Sequence, residues 1–509
     1  MKRIIPFLLI IFFTSGFSYL FGQGKNPPKK IELIGAESAI HDETKGDYTL
    51  LIGNVIFQHE NVMLYCDSAH LYAEANSIDA YSNIHIKASD SVNIYGDSLR
   101  YNGNTKIAEI HKNVRLIDNQ ITLTTEHLTY DLKAKTGQYY EGGKIVDPEN
   151  TLTSKLGFYY SDNKDFFFHD SVVMVNTDYT IHSDSMIYNT ASEISKFFGP
   201  TIIVSKDNFI YTEKGWYNTK KNIAEFSKKS FLKNKSQVLF GDSIYYDRTK
   251  GLGLGYRNVT IFDSARNTFI KGDFIRYDQK NQYSLATLKA ILIQIDDNKD
   301  TLFLHADTLI GTFDTLTEKA KVMYAFHKVK FYRNDLQGMC DSLVYNYADS
   351  TILMYHDPLI WTEEKQLSAD SISIFLSNSM IYKMILRHSC FLIASDDTTQ
   401  NRYNQVKGLN MTGYFADGLL KKIKVFNNAE TIYFMREANG QRTGTNKAIS
   451  TNMDIEIKDN KIFSISFLDN PVATLYPDKD ISGKDLLLKD FQWLEKFRPK
   501  TKHQIFFWK

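Results

Sequence analysis

Acidic side chains return along this chain at nearly constant intervals. They stand at Glu37, Asp67, Asp97, Glu126, Asp184, Glu213, Asp242, Asp273, Asp307, Asp341 and Asp370, and Lys155 takes the place of an acid once. A ladder of carboxylates could bind calcium or supply the paired acids of glycoside hydrolysis. Neither chemistry fits. A catalytic pair needs two acids in different surroundings, not eleven equivalent ones. Calcium repeats need several acids within a few residues and many glycines. Short side-chain oxygens that accept hydrogen bonds from nearby backbone N–H groups suit bends instead. Asp67, Asp97, Asp184, Asp242, Asp273 and Asp341 are therefore read as bend residues, once per repeat.

The other reactive side chains form no constellation. The 13 histidines are scattered. His182 and His305 sit two residues before an acid, in a column otherwise holding Tyr65, Tyr95, Thr124 and Lys271, so both are expected to face solvent. Cys66, Cys340 and Cys390 are odd in number and far apart, with no Cys-x-x-Cys, which argues against a zinc site or a disulfide framework and for small core residues. No Gly-rich phosphate loop, nucleophile elbow or His-Glu-x-x-His is present. The reading is a non-enzyme with no metal and no cofactor. With 60 Lys and Arg against 59 Asp and Glu, no net field draws in nucleic acid.

The elements that carry these residues follow from the period. Steps of 29 or 30 residues between most acids mark a repeat array of about twelve units over residues 31–400. Three residues before the acid stand Leu64, Ile94, Leu123, Ile181, Ile210, Leu239, Ile270 and Leu304, a column that must face an apolar interior. One residue before it, every side chain is small. Beyond the acid the inward parity changes, as in Leu99 and Tyr101 or Ile244 and Tyr246. A flat strand alternates with period two, so a bulge or corner must fall at the small-Asp-Ser step. The tyrosine column reads as packing with its hydroxyls at a wet rim. Further inward pairs, among them Val114 with Leu116 and Val259 with Ile261, complete about three short strands per repeat.

The ends differ. Residues 1–23, "MKRIIPFLLIIFFTSGFSYLFGQ", have a basic start and an apolar run, the form of a secretory signal peptide; an uncleaved membrane anchor is the alternative. Residues 24–30 are a linker. Residues 401–468 look like degraded repeats or a cap. In the tail, 469–509, "KDLLLKDFQWLEKF" reads as a short amphipathic helix between Pro477 and Pro499, docking on the open end of the array or on a partner. The expectation from the N-terminal leader is export.

Two sheets sharing this interior either close into a dry core or splay into a groove, and periodicity alone leaves both open. A groove lined by Leu64, Ile94, Leu123, Ile181, Ile210, Leu239, Ile270, Leu304, Val114, Leu116, Val259 and Ile261 could hold acyl chains, at about 0.8 kcal/mol per buried methylene. The stretches "LLIGNVIFQHENVMLYCDSAHLY", "IAEIHKNVRLIDNQITLTTEHLTYD" and "RNVTIFDSARNTFIKGDFIRYD" resemble the OstA/LptA-like family. That resemblance implies an all-β, open β-jellyroll or β-taco of two antiparallel sheets. It also implies periplasmic carriage of lipopolysaccharide toward the outer membrane, with acyl chains between the sheets. Edge strands would pair with similar jellyroll domains of inner-membrane and outer-membrane transport components. Two other readings remain at this stage: a polysaccharide-active enzyme on a parallel β-helix, and a structural β-solenoid at the cell surface.

Overall fold

Long runs of alternating apolar and polar residues, rich in β-branched and aromatic types, make pleated strands throughout. The computed structural model describes residues 29–508 except 43, 45, 207, 235–236, 297–298, 315–316, 318, 379, 398–401, 438–439, 460 and 478. The signal peptide, and all but the last two linker residues, lie outside the described residues. Among those described, 36 strands occur and no α-helix. Neighbouring strands pair antiparallel, which removes the parallel β-helix. The chain divides into two compact units, the first ending at Tyr139 and the second beginning at Tyr140.

In the first unit the repeat is two long strands, not three short ones. Val62–Tyr72 and Ser77–Lys87 form one such pair, Val92–Asn102 and Ile107–Asp118 the next. The segments before and after each acid are arms of one strand, because the hydrogen-bonded ladder resumes past the corner. Tyr65 pairs with His85 and Ser68 with Tyr81, so Cys66 and Asp67 stand opposite three residues, Ser82, Asn83 and Ile84. That extra residue is a bulge, and it lies on the neighbouring strand rather than at the small-Asp-Ser step itself. Ser82 and Asn83 are both left-handed, at φ 62° and 53°. Their strand keeps its inward parity, with Ile78, Ala80, Ile84 and Ile86 buried, while its partner switches from Leu64 and Cys66 to Ala69. Both arms thereby face one interior.

The same left-handed pair recurs at Lys112 and Asn113, and in the second unit at Asp170 and Ser171, Lys228 and Lys229, and Arg257 and Asn258. Non-glycine residues resist this conformation, asparagine least. The bend acids hold it in place. Asn83 donates to Asp67 at 2.7 Å, Asn113 to Asp97 at 2.7 Å and Asn258 to Asp242 at 2.9 Å. Lys289 meets Asp273 at 2.9 Å, His327 meets Asp341 at 3.3 Å, and Glu213 sits between Lys228 and Lys229. Asp184 accepts from the Ser185 hydroxyl at 3.0 Å beside the left-handed Gly199. The exception explains itself: Lys155 faces Asp170 at 3.3 Å, the same corner pair with its charges exchanged.

In the second unit the plan continues through Met380–Asp397, Arg402–Ala416, Leu419–Arg436 and Arg442–Lys458, longer strands with corners at His388 and Ser389 and at Asn427 and Asn428. The tail forms no amphipathic helix. Among its described residues the helical content is three single 3-10 turns, Gly483–Leu486, Glu495–Phe497 and Gln504–Phe506, joined by extended chain. It runs as a strap over the outer face of one sheet, where Phe391, Ile393, Tyr403, Ile432 and Phe434 bury Ile481, Leu486 and Leu488. Farther on, Met339, Leu359 and Trp361 meet Leu494, Phe497 and Trp508. Three buried glutamines grip it. Gln405 bonds Leu486 O and Leu488 N, Gln366 bonds Gln492 O and Leu494 N, and Gln337 accepts from Arg498. The strap also corrects the expectation for His305. Phe506 covers its ring at 4.6 Å, its Nδ1 lies 2.7 Å from Ala290 O, and burial lowers its pKa. His182 is exposed.

Candidate functional site

The apolar columns meet between the arms. Ser195, on one arm, donates to the Met174 sulfur of the other at 3.7 Å. Leu64, Ile94, Leu123, Val114, Leu116, Ile181, Leu304 and Val259 are all 3% exposed or less, embedded among other side chains. Ile210, Leu239, Ile270 and Ile261 differ: each is only partly buried. Three of these four, Ile210, Leu239 and Ile261, line a cavity of about 530 Å³ within the second unit. This volume is in the range of small-molecule sites.

A column on the facing wall explains why the interior opens there. At intervals of 29 residues the inward positions read Phe166 and Phe168, Ser195 and Phe197, Ala224 and Phe226, then Gly253 and Gly255. Side-chain volume falls step by step to nothing, and the cavity occupies the space. A Cβ on Gly253 would meet only ordinary contacts, Tyr277 at 3.7 Å and Tyr246 at 4.0 Å. On Gly255 it would come within 2.7 Å of Val259. Following the Ile and Leu column alone missed this wall, although the glycines were in plain view at the repeat spacing.

The rim closes where the interior is full and loosens where it is empty. In the first unit His59 Nδ1 pairs with the Tyr101 hydroxyl, while Nε2 lies 3.2 Å from Lys29 O. Burial lowers the His59 pKa and raises that of Tyr101, so a neutral imidazole accepts from a neutral phenol. In the second unit Tyr188 donates to Asp147 at 2.8 Å, and Asn150 donates to Tyr188 at 3.3 Å. These bonds tie the tyrosine column of one arm to the turns of the other. At the cavity that arrangement changes. Tyr217 donates to Asn222 on its own turn at 3.2 Å, and the buried Tyr179 hydroxyl has no hydrogen-bond partner. Across this stretch of rim stand the Tyr179 and Tyr217 rings, 5.5 Å apart, and an exposed ion pair, Asp178 with Arg248 at 3.7 Å. The site is an apolar hollow with polar lips: Ser205, Asn208, Asn234 and Gln237 on one side, Asn222, Arg248 and Gln279 on the other.

Among the described residues no group of three or more His, Cys, Asp or Glu is placed to hold a metal ion. The three cysteines are free and buried, and desolvation pushes the Cys66 and Cys390 thiols up to about 12, which disfavours the thiolate. No individual curated protein matches the chain. A family model described as OstA-like protein matches residues 29–184 and again 182–288. Together these cover residues 29–288, 260 of 509, and include the cavity walls; the chain belongs to the OstA-like protein family.

Proposed function

We propose that this protein is a periplasmic lipid-transfer component that carries lipopolysaccharide, or a related lipid, toward the outer membrane, with acyl chains held between its two sheets. Export by the N-terminal apolar segment would place it there. Edge strands would join it to jellyroll domains of inner-membrane and outer-membrane transport components. The observation that carries the reading is the apolar cavity beside Leu239 and Ile261, with its polar lips. Tails in the hollow and a headgroup at Arg248 and the amides of the rim suit an amphiphile. From Ile145 to Phe197 in the same unit the inward side chains are buried, so the cavity acts as a holding station, and onward passage there requires the arms to part. Photo-crosslinking residues at Leu239, Ile261, Leu123 and Ile181, with labelled lipopolysaccharide, test this. Adducts at 239 and 261 in excess of those at the packed 123 and 181 are expected. Their absence at all four positions removes the proposal.

The filled interiors, Leu51 to Tyr139 in the first unit and Ile145 to Phe197 in the second, favour one other reading, a structural array at the cell surface. Protease cleavage in intact cells would support it; protection until the outer membrane is breached would exclude it.

A further inference from the structure

The outer face of the sheet that carries Leu239 is not uniform. On Thr151–Ser154 and Tyr179–Asn189 its outward positions are Thr151, Thr153, Thr180 and His182. From Phe303 to Phe434 the strap covers it. Between these stretches it is aromatic and bare. Leu232, Leu239 and Ile261 point into the cavity, so by strand alternation Phe231, Phe240 and Phe262 point outward. Phe231 lies 5.9 Å from Phe209, 5.6 Å from Tyr211 and 5.7 Å from Phe240, and Phe262 stacks on Phe269 at 4.5 Å. Phe240 is 44% exposed and Val204 41%. A sheet with apolar side chains on both faces, one of them open to water, marks a contact surface.

We propose that this aromatic face docks on a lipid bilayer that presents anionic headgroups. Two observations select that occupant. First, among the described residues the exposed charged side chains on these outward rows are cations: Lys233, Lys271 and, at the edge, Lys206. The nearby corner acids Glu213 and Asp242 are already held by Lys228, Lys229 and Asn258. Aromatic rings flanked by lysine suit the headgroup boundary, where rings bury and ammonium groups meet phosphate. Second, the turn residues Ser205, Asn208, Asn234 and Gln237 lie at the ends of these same strands and form one lip of the cavity. Docking would bring that lip to the bilayer surface. The inference does not depend on acyl chains entering the cavity.

The test uses the full chain. Its three native cysteines are buried, so Phe240→Cys and, as a control on the threonine face, Thr153→Cys can each be labelled with an environment-sensitive dye. Vesicles of phosphatidylglycerol and phosphatidylethanolamine should shift the emission at 240 to the blue and leave 153 unchanged. Pure phosphatidylcholine vesicles should shift it less, and Lys233→Glu with Lys271→Glu should reduce the shift. Because both labelled chains carry the same N-terminal apolar segment, its own membrane binding cancels in the comparison. No shift at 240, or equal shifts at both positions, overturns the proposal. So does a shift that grows with protein concentration without vesicles, which assigns the face to a second copy. Crosslinking at Leu239 with labelled lipopolysaccharide reports separately on the cavity.

Discussion

His59 and Tyr101 show how one residue pair couples a rim to pH. The folded imidazole titrates below its usual value because burial disfavours its charge. Its contribution is therefore intact above about pH 6.5, the unfolded value. It is lost progressively as pH falls from there toward the lowered folded value, since the unfolded chain binds the proton first. Thermal melts across pH 7 to 5 should show His59→Asn with a shallower decline than the native chain. Lys155 makes a second residue-level case. Lys155→Asp places two acids at the corner with Asp170, and its melting temperature at low salt should fall. Adding Asp170→Lys recreates the acid–lysine corner seen at Glu213 and Lys228 and should recover it, and high salt should shrink the difference. The acids were legible as bend residues because their spacing is regular. Their partners were not: "Asn-Val" is a bulge only because asparagine tolerates left-handed backbone, and that depends on a neighbouring strand.

Single elements show where local pattern and tertiary contact disagree. "KDLLLKDFQWLEKF" has a helix-like apolar spacing, yet it lies extended because it crosses strands about 4.8 Å apart and presents side chains to each in turn. The capture points are repeat positions too: Gln337 and Gln366 each stand four residues before a bend acid, Asp341 and Asp370. Only an outer face needing cover makes them grips, so periodicity gave no hint of the strap. Gln366→Ala leaves Gln492 O and Leu494 N unpaired at a buried contact, a cost of about 1–3 kcal/mol. Faster amide exchange over residues 488–498 should follow, with little change in the strands that carry Leu64 and Ile94. The two-arm strand was also hidden: alternation shows that parity shifts, but not that the ladder continues through the shift.

For the molecule as a whole, the all-β antiparallel array was legible from the period, while the state of its interior was not. Filled or hollow depends on the sum of side-chain volumes from both walls, and only one wall had been followed. Gly253→Leu should therefore fill the hollow, since its Cβ has room and the cavity lies before it. We expect lipid crosslinks at Leu239 to drop at least about tenfold, the factor set by losing roughly 1.4 kcal/mol of binding. The melting temperature should be unchanged or higher. Unchanged crosslinking would mean that the lipid lies elsewhere.

The three-against-two count at the corner has a genealogical consequence. A strand with the additional residue needs a neighbour without it, so a lone strand gained or lost would set like beside like and turn one arm inside out. Viable descendants can grow or shrink only by tandem duplication or deletion of a complete pair, a quantum of close to thirty codons. Smaller insertions survive only in the turns.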